Sequence, residues 1–308
     1  MSQAPELDRG LVVASHGRHV VVETPEGRQL ICHPRGKKNQ AVVGDRVLWL
    51  ASGDEGSIEK VEQRRNLFYR QDEIRTKSFA ANLDQVLILI AAEPEFSESQ
   101  LARALVAAEA ERIQPLIALN KSDLAELFAR AWARLEPYRR MGYTVLPLNL
   151  KAPGCPAELV ALQMQLRDKA TLVLGPSGAG KSTLINRLVP GAQAQTGEIS
   201  TALNSGKHTT TSTRWYWVDE ARQTALIDSP GFQEFGLQHI EAAQLAGLMP
   251  DLRTHAGACR FYNCSHLHEP GCGVIAAVDE KTGGTGISPS RYRIYRELYA
   301  ELSQAPRY

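Results

Sequence analysis

A mostly parallel α/β domain, preceded by a small all-β barrel and followed by a short helical module, is the architecture this sequence predicts. Three observations lead there. Five short β-like runs punctuated by turn residues fill the first seventy positions. From Gln85 onward, apolar strands alternate with helical stretches. Three of the five cysteines gather with a histidine near the C-terminus. At 308 residues, 43% hydrophobic and 22% charged, the chain is long enough for more than one domain with its own core.

The β-like runs cover 10–14, 18–23, 28–33, 45–50 and 57–61, separated by turns such as Thr24-Pro25-Glu26-Gly27 and Ser52-Gly53-Asp54-Glu55-Gly56. Five strands at this spacing fit an OB-fold over residues 1–72. Arg35, Lys37, Lys38, Arg64, Arg65 and Arg70 offer a basic face, yet acidic residues nearly balance them, so an ordinary solvated surface reads equally well.

The second region carries strands at 85–92, 115–120, 143–148, 170–174 and 224–227, and helices near 97–112, 124–141, 157–168 and 181–189. This alternation predicts βαβ units and a parallel sheet. Ser97 and Asp123 are the expected helix caps. Beyond Gly236 the helical pattern returns, ending in a helix over 289–302 whose Tyr292, Tyr295 and Tyr299 form a packing stripe.

The longest apolar run, Val86 to Ala92, is far short of a membrane span, and the first eight residues lack the basic start and apolar core of a secretory leader. A cytoplasmic protein without membrane contact is expected. With 35 Lys+Arg against 34 Asp+Glu, any nucleic-acid contact must be a local patch.

Gly175-Pro176-Ser177-Gly178-Ala179-Gly180-Lys181-Ser182 fits G-x-x-x-x-G-K-[ST], after a strand and opening a helix with Thr183. Its glycines let successive N–H groups face phosphate oxygens, and the helix N-terminus adds a favourable dipole. Lys181 is placed to reach the β- and γ-phosphates, and the Ser182 hydroxyl to ligate Mg²⁺.

Asn120-Lys121-Ser122-Asp123 ends the strand 115–120, where open α/β sheets bind ligands. A carboxylate there accepts hydrogen bonds from N1–H and the 2-amino group of guanine. Adenine offers neither donor, so the tetrapeptide favours GTP. Asp228-Ser229-Pro230-Gly231 lies 47 residues beyond Lys181, placing Asp228 at the Mg²⁺ shell and the Gly231 N–H at the γ-phosphate. Lys207-His208-Thr209-Thr210-Thr211 lies between them, suited to a switch loop whose Thr210 completes the magnesium site. The order is base motif, phosphate loop, threonine switch, Asp-x-x-Gly. Ordinary GTPases place the base motif last, so this is the order of a circularly permuted one.

Cys259, Cys264, His266 and Cys272 supply three thiolates and one imidazole within fourteen residues, a closed tetrahedral set for structural Zn²⁺. His268 is the alternative fourth ligand, and Cys32 and Cys155 are expected to be free.

A permuted GTPase behind an OB-like barrel and ahead of such a cluster resembles the ribosome small subunit-dependent GTPase A (RsgA/YjeQ) family. The likeness covers nearly the whole chain, including Arg65-Asn66-Leu67, Ala81-Asn82-Leu83-Asp84-Gln85, Lys207-His208-Thr209-Thr210-Thr211, Asp228-Ser229-Pro230-Gly231-Phe232 and Cys259-x₄-Cys264-x-His266-x₅-Cys272. It implies a GTPase that docks on the small ribosomal subunit and its rRNA late in maturation and is stimulated by that subunit. It implies domains at 1–72, 73–238 and 239–308, and it favours His266 over His268 as metal ligand. One departure is Leu148-Asn149 where a Ser-Ala guanine loop is expected.

After Asp-x-x-Gly, Phe232 replaces the glutamine that often orients the attacking water, since a phenyl ring neither donates nor accepts. His208 is the candidate in its place, the plain alternative being an exposed loop histidine. About thirty residues link Asp228 to the cysteines, so GTP is expected to set barrel and zinc module in an arrangement that clamps RNA until hydrolysis. A monomer is expected. Two rival readings are a P-loop kinase or ATPase with a zinc ribbon, and a nucleic-acid-binding module that nucleotide merely stabilises. GTP-versus-ATP titration separates the first, and turnover with and without small subunits the second.

Overall fold

A computed structural model of the chain describes residues 7–35, 40–72, 76–189, 191–192, 213–229, 235–278 and 286–304. The five N-terminal runs are strands β1 (Asp8–Ser15), β2 (Val20–Glu23), β3 (Gln29–Pro34), β4 (Arg46–Ser52) and β5 (Glu55–Val61). They pair in the order β1-β2-β3-β5-β4, and β4 returns to β1, with only β3–β5 parallel. Closure leaves no free edge. Side chains alternate along β3, so that Leu30 and Cys32 join Val12, Val20, Val22, Val47, Trp49 and Ile58 inside. A Cβ on Gly56 would stand 2.8 Å from Cys32 Sγ and 2.7 Å from the Trp49 ring, so the packing there requires glycine.

Strands β6 (Leu67–Gln71) and β7 (Thr76–Ala81) form a hairpin the sequence pattern did not disclose. Only two strands are present, and their hydrophobic partner is distant in sequence: Phe68 and Phe79 pack against Phe235 at centroid distances of 5.6 and 6.0 Å. Gln71 N donates to Gly236 O at 3.1 Å, and Gln238 N to Gln71 O at 3.0 Å, so residues 236–238 lie along β6.

The main sheet runs β10 (Thr144–Pro147), β9 (Gln114–Asn120), β8 (Gln85–Ala91), β11 (Ala170–Leu174), β13 (Ala225–Asp228), β12 (Arg214–Trp217). All are parallel except β12, another element absent from the sequence reading. Every residue of β8 is buried, as expected of a strand covered on both faces. Strand β12 meets β1 at Ala14↔Arg214, and Trp217 Nε1 donates to Glu23 Oε1 at 2.7 Å, so the barrel is joined to this strand.

Helix α1 (Glu98–Ala110) is capped by Ser97, whose Oγ accepts from Gln100 N at 3.3 Å. The single helix expected over 124–141 is two, α2 (Ala125–Arg134) and α3 (Glu136–Arg140). Pro137 has no N–H to continue the α2 ladder and occupies the first turn of α3 instead. Helices α4 (Ala157–Leu166) and α5 (Lys181–Leu188) fall where expected.

The C-terminal part contains a 3₁₀ stretch (Ala242–Leu248), α6 (Pro250–Ala256), α7 (Gly273–Ala276) and α8 (Pro289–Leu302). Among the described residues no helix is long and apolar enough to cross a membrane. Arg291 on α8 is 2% exposed and donates to both oxygens of Asp251 on α6, at 2.9 and 3.0 Å. Removing the carboxylate would leave a buried, uncompensated guanidinium. Asp251→Ala is expected to cost about 3–5 kcal/mol of stability. The double replacement Asp251→Leu with Arg291→Met, which fills the space and leaves neither charge unpaired, is expected to cost less; chemical-denaturation midpoints of the single and double variants check the order.

Candidate nucleotide site and metal centre

The loop Gly175–Ser182 connects β11 to α5 at the centre of the sheet. A Cβ on Gly175 would stand 2.4 Å from Leu89 O, so β8 and the loop approach too closely for any side chain. Gly178 and Gly180 have φ of 80° and 103°, in the region where glycine alone is unstrained. Pro176, Ser177 and Ala179 fill the loop between them. Lys181, Ser182 and Thr183 form the first turn of α5. Lys181 Nζ donates to Asp228 Oδ1 at 2.7 Å and to Ser229 O, while Ser229 Oγ donates to Val173 O at 3.0 Å. Phosphate-loop lysine and the aspartate ending β13 therefore face each other as an almost buried ion pair.

Asn120 ends β9 one strand away from β8 and is 4% exposed. Its Nδ2 donates to Ala179 O at 2.9 Å, inside the phosphate loop, and its Oδ1 accepts from Leu150 N at 3.2 Å. One side chain thus joins base motif, phosphate loop and the loop after β10. Lys121 follows with φ 68°, and Ser122 N donates to Leu148 O at 3.0 Å.

Asp123 does not cap α2: the cap position is Leu124, without a side-chain hydrogen bond. Asp123 is exposed, and its carboxylate has no partner among the described residues, which leaves both oxygens available to a ligand. Leu148 is buried, and Asn149 Oδ1 accepts from Lys151 N at 3.0 Å and Ala152 N at 3.1 Å, so the segment that departs from Ser-Ala is built on an asparagine turn.

Sequence reasoning missed Arg187. Its guanidinium donates to the carbonyls of Leu150 (2.9 Å), Ala152 (2.7 Å) and Gly154, tying that loop to α5. On a short amphipathic helix it reads as a surface arginine. Lys207, His208, Thr209, Thr210, Thr211, Pro230, Gly231 and Phe232 lie outside the described residues.

Cys259, Cys264, His266 and Cys272 place all four ligand atoms within 4.8 Å of one another. Cys259 Sγ lies 3.8 Å from Cys272 Sγ, and His266 Nδ1 lies 3.4 Å from each of those sulfurs. A tetrahedral ion with metal–sulfur bonds of about 2.3 Å and metal–nitrogen bonds of about 2.0 Å needs edges of about 3.8 and 3.5 Å. The set could hold one metal ion. His266 is buried and in it, whereas His268 is exposed. Burial pushes the His266 imidazole down from its ordinary pKa, favouring the neutral form that can offer a lone pair. Tyr292 and Tyr295 donate to the carbonyls of His266 (2.8 Å) and Ser265 (2.7 Å), so the tyrosine stripe of α8 holds the ligand loop. Glu269 accepts from Ser265 N and Oγ, Leu267 N and His268 N; the Ser265 hydroxyl and these amides hold its carboxyl well below the usual range.

Residues 61–238 match the family model described as RsgA GTPase. The chain is 75% identical over 299 residues to the small ribosomal subunit biogenesis GTPase RsgA of Variovorax paradoxus, covering 97% of this chain and 94% of that one. It is 50% identical over 312 residues to the protein of that name from Paraburkholderia phytofirmans, covering 99% and 97%. The crystal structure of YjeQ from Thermotoga maritima superposes with a TM-score of 0.75 at 28% identity, over 96% of this chain and 99% of that one. That of YloQ, a circularly permuted GTPase, gives 0.71 at 27%, over 100% and 99%.

Residues 259–272 have little core of their own, so the metal should carry their folding. Chelation is expected to accelerate amide exchange across 250–278 while leaving β8, β9 and β11 protected. Cys272→Ala should remove the bound metal equivalent, measured by elemental analysis.

Proposed function

The chain belongs to the RsgA GTPase family, and from that premise we propose that it hydrolyses GTP while bound to the small ribosomal subunit, acting as a clamp that nucleotide sets and hydrolysis releases. The observation that carries the site assignment is Asn120, whose amide ties the motif suited to guanine to the loop suited to phosphates. The order of these motifs in the chain is permuted, but in this reading their places at the ends of neighbouring parallel strands let both serve one nucleotide.

In this reading Asp123 accepts from N1–H and the 2-amino group of guanine, with Lys121 and Ser122 shaping the wall beside it. The backbone of Gly175–Gly180 donates to the phosphates. Lys181 exchanges Asp228 for the β- and γ-phosphates, so an internal ion pair is replaced by a pair with substrate. Ser182, Thr210 and Asp228 are the residues that would hold Mg²⁺, which when bound neutralises charge on the β- and γ-phosphates. Thr183 and Thr209–Thr211 complete the phosphate and switch contacts, and Gly231 N–H faces the γ-phosphate. His208 positions the attacking water, because Phe232 has no group that could.

The domains divide as 1–72 for an OB barrel contacting rRNA, 73–238 for the GTPase, and 239–308 for a helical module closed by structural Zn²⁺ on Cys259, Cys264, His266 and Cys272. A monomer in the cytoplasm, where the small subunit matures, fits this role. The clamp has a physical basis in chain continuity. Phe235, seven residues after Asp228, packs on the β6–β7 hairpin, and its carbonyl accepts from Arg103 at 3.2 Å. Arg103 in turn pairs with Glu301 on α8.

Turnover measured with and without purified small subunits tests the proposal: slow intrinsic hydrolysis with marked stimulation is expected, and equal rates would overturn it. His208→Ala should keep GTP affinity but lose most stimulated turnover in the same assay. Asp123→Asn replaces an acceptor oxygen by a donor, so it should weaken GTP by about 10²–10⁴-fold, two charge-assisted hydrogen bonds at about 1.5–3 kcal/mol each. The same variant should gain affinity for xanthosine triphosphate, read by competition titration.

A further inference from the structure

The loop between the first two cysteines carries four consecutive exposed residues, Arg260, Phe261, Tyr262 and Asn263. Tyr262 is 103% exposed and Phe261 41%. The two cysteines bracket the loop, and Arg260 N donates to Gly271 O at 3.0 Å. Gly271, with φ 73°, packs so closely that an added Cβ would stand 3.2 Å from Arg260 Cβ. Two aromatic rings are thus held out on a braced loop, so little conformational freedom remains to be lost on binding.

Electrostatics selects the partner. The two carboxylates described next to the ligand loop are taken up internally, Asp251 by Arg291 and Glu269 by four donors of that loop, and the stretch Arg260–Asn263 itself carries no acid. Arg260 has no carboxylate partner among the described residues, and its guanidinium lies 5.5 Å from the Phe261 ring. The outer face of the loop is therefore cationic and aromatic. Tyrosine, phenylalanine and arginine are also enriched at the buried core of protein interfaces, but there they belong to a patch of about twenty to thirty residues a side. The other exposed large hydrophobics among the described residues, Leu7, Ile31, Val160 and Met164, sit on the barrel and α4 instead.

We propose that Arg260–Asn263 is a stacking platform for an unpaired base of single-stranded RNA. Tyr262 supplies the ring face, Arg260 contacts the adjoining phosphate, and Asn263 stands beside the base edge. Stacking on an aromatic ring tolerates every base, so the platform reads strand openness more than sequence. The choice of RNA on the small subunit rests on the function proposed above; the platform itself rests on exposure and charge.

The test uses the full chain with its metal bound, and two probes: a twelve-nucleotide oligoadenylate and purified small subunits. Tyr262→Ala is expected to weaken oligoadenylate binding roughly ten- to a hundredfold, the range for one stacked base. Tyr262→Trp should restore it, and metal content and melting temperature should not change. Affinity of Tyr262→Ala equal to wild type on the oligonucleotide would overturn the platform, as would Tyr262→Trp binding no better than Tyr262→Ala. A photoreactive group at 262 should cross-link to RNA on the subunit, and a cross-link to a ribosomal protein would overturn the inference in favour of a protein contact. Failure of the wild-type chain to bind subunits, with Tyr262-dependent oligonucleotide binding intact, would refute the small-subunit reading and leave the platform standing.

Discussion

A buried amide on Asn120 is the constraint on which the candidate nucleotide site depends. An unsatisfied amide at 4% exposure would be costly. Here the nitrogen end is committed to Ala179 O and the oxygen end to Leu150 N. The two loops it joins lie 30 and 59 residues further along the chain from it. Gly180 is part of the same constraint, since a Cβ there would stand 2.4 Å from Asn120 Nδ2. Replacing either residue changes the distance between the base motif and the phosphate loop. Arg187 adds a second tie from α5 to the same wall.

The parallel sheet makes the permutation harmless. Strand β11 lies between β8 and β13, so the half bearing the base motif and the half bearing Asp-x-x-Gly flank the phosphate loop whichever comes first in the chain. What permutation alters is where the ends emerge. The barrel enters at β8 through the β6–β7 hairpin, and the segment beyond β13 returns to that hairpin at Phe235 before reaching the metal module. Both flanking parts thus converge on one aromatic cluster of Phe68, Phe79 and Phe235.

The metal module shows a similar division. Its four ligand side chains could hold one metal ion, but their loop is held by groups further along the chain. The Tyr292 and Tyr295 hydroxyls take the carbonyls of His266 and Ser265, and Arg291 neutralises Asp251 beneath them. A helix that looks like simple packing is therefore the support of the ligand set.

Local pattern alone determined much of this protein. The five barrel strands, the buried run of β8, the phosphate loop and the cysteine spacing were all legible, because each is specified by alternation, turn chemistry or ligand type within a few residues. The tertiary structure decided the remainder. Strands β6, β7 and β12 are short and draw their stability from distant partners, so no local period marks them. The break at Pro137, by contrast, is a local signal, since proline lacks the N–H that would continue α2, and Asp123 is not the cap because α2 begins one residue later, after Leu124. Asn120, Arg187 and the α8 tyrosines gain their roles only where separate elements meet. Hydrogen bonds between residues 26 to 59 positions apart leave no trace in the sequence around either partner.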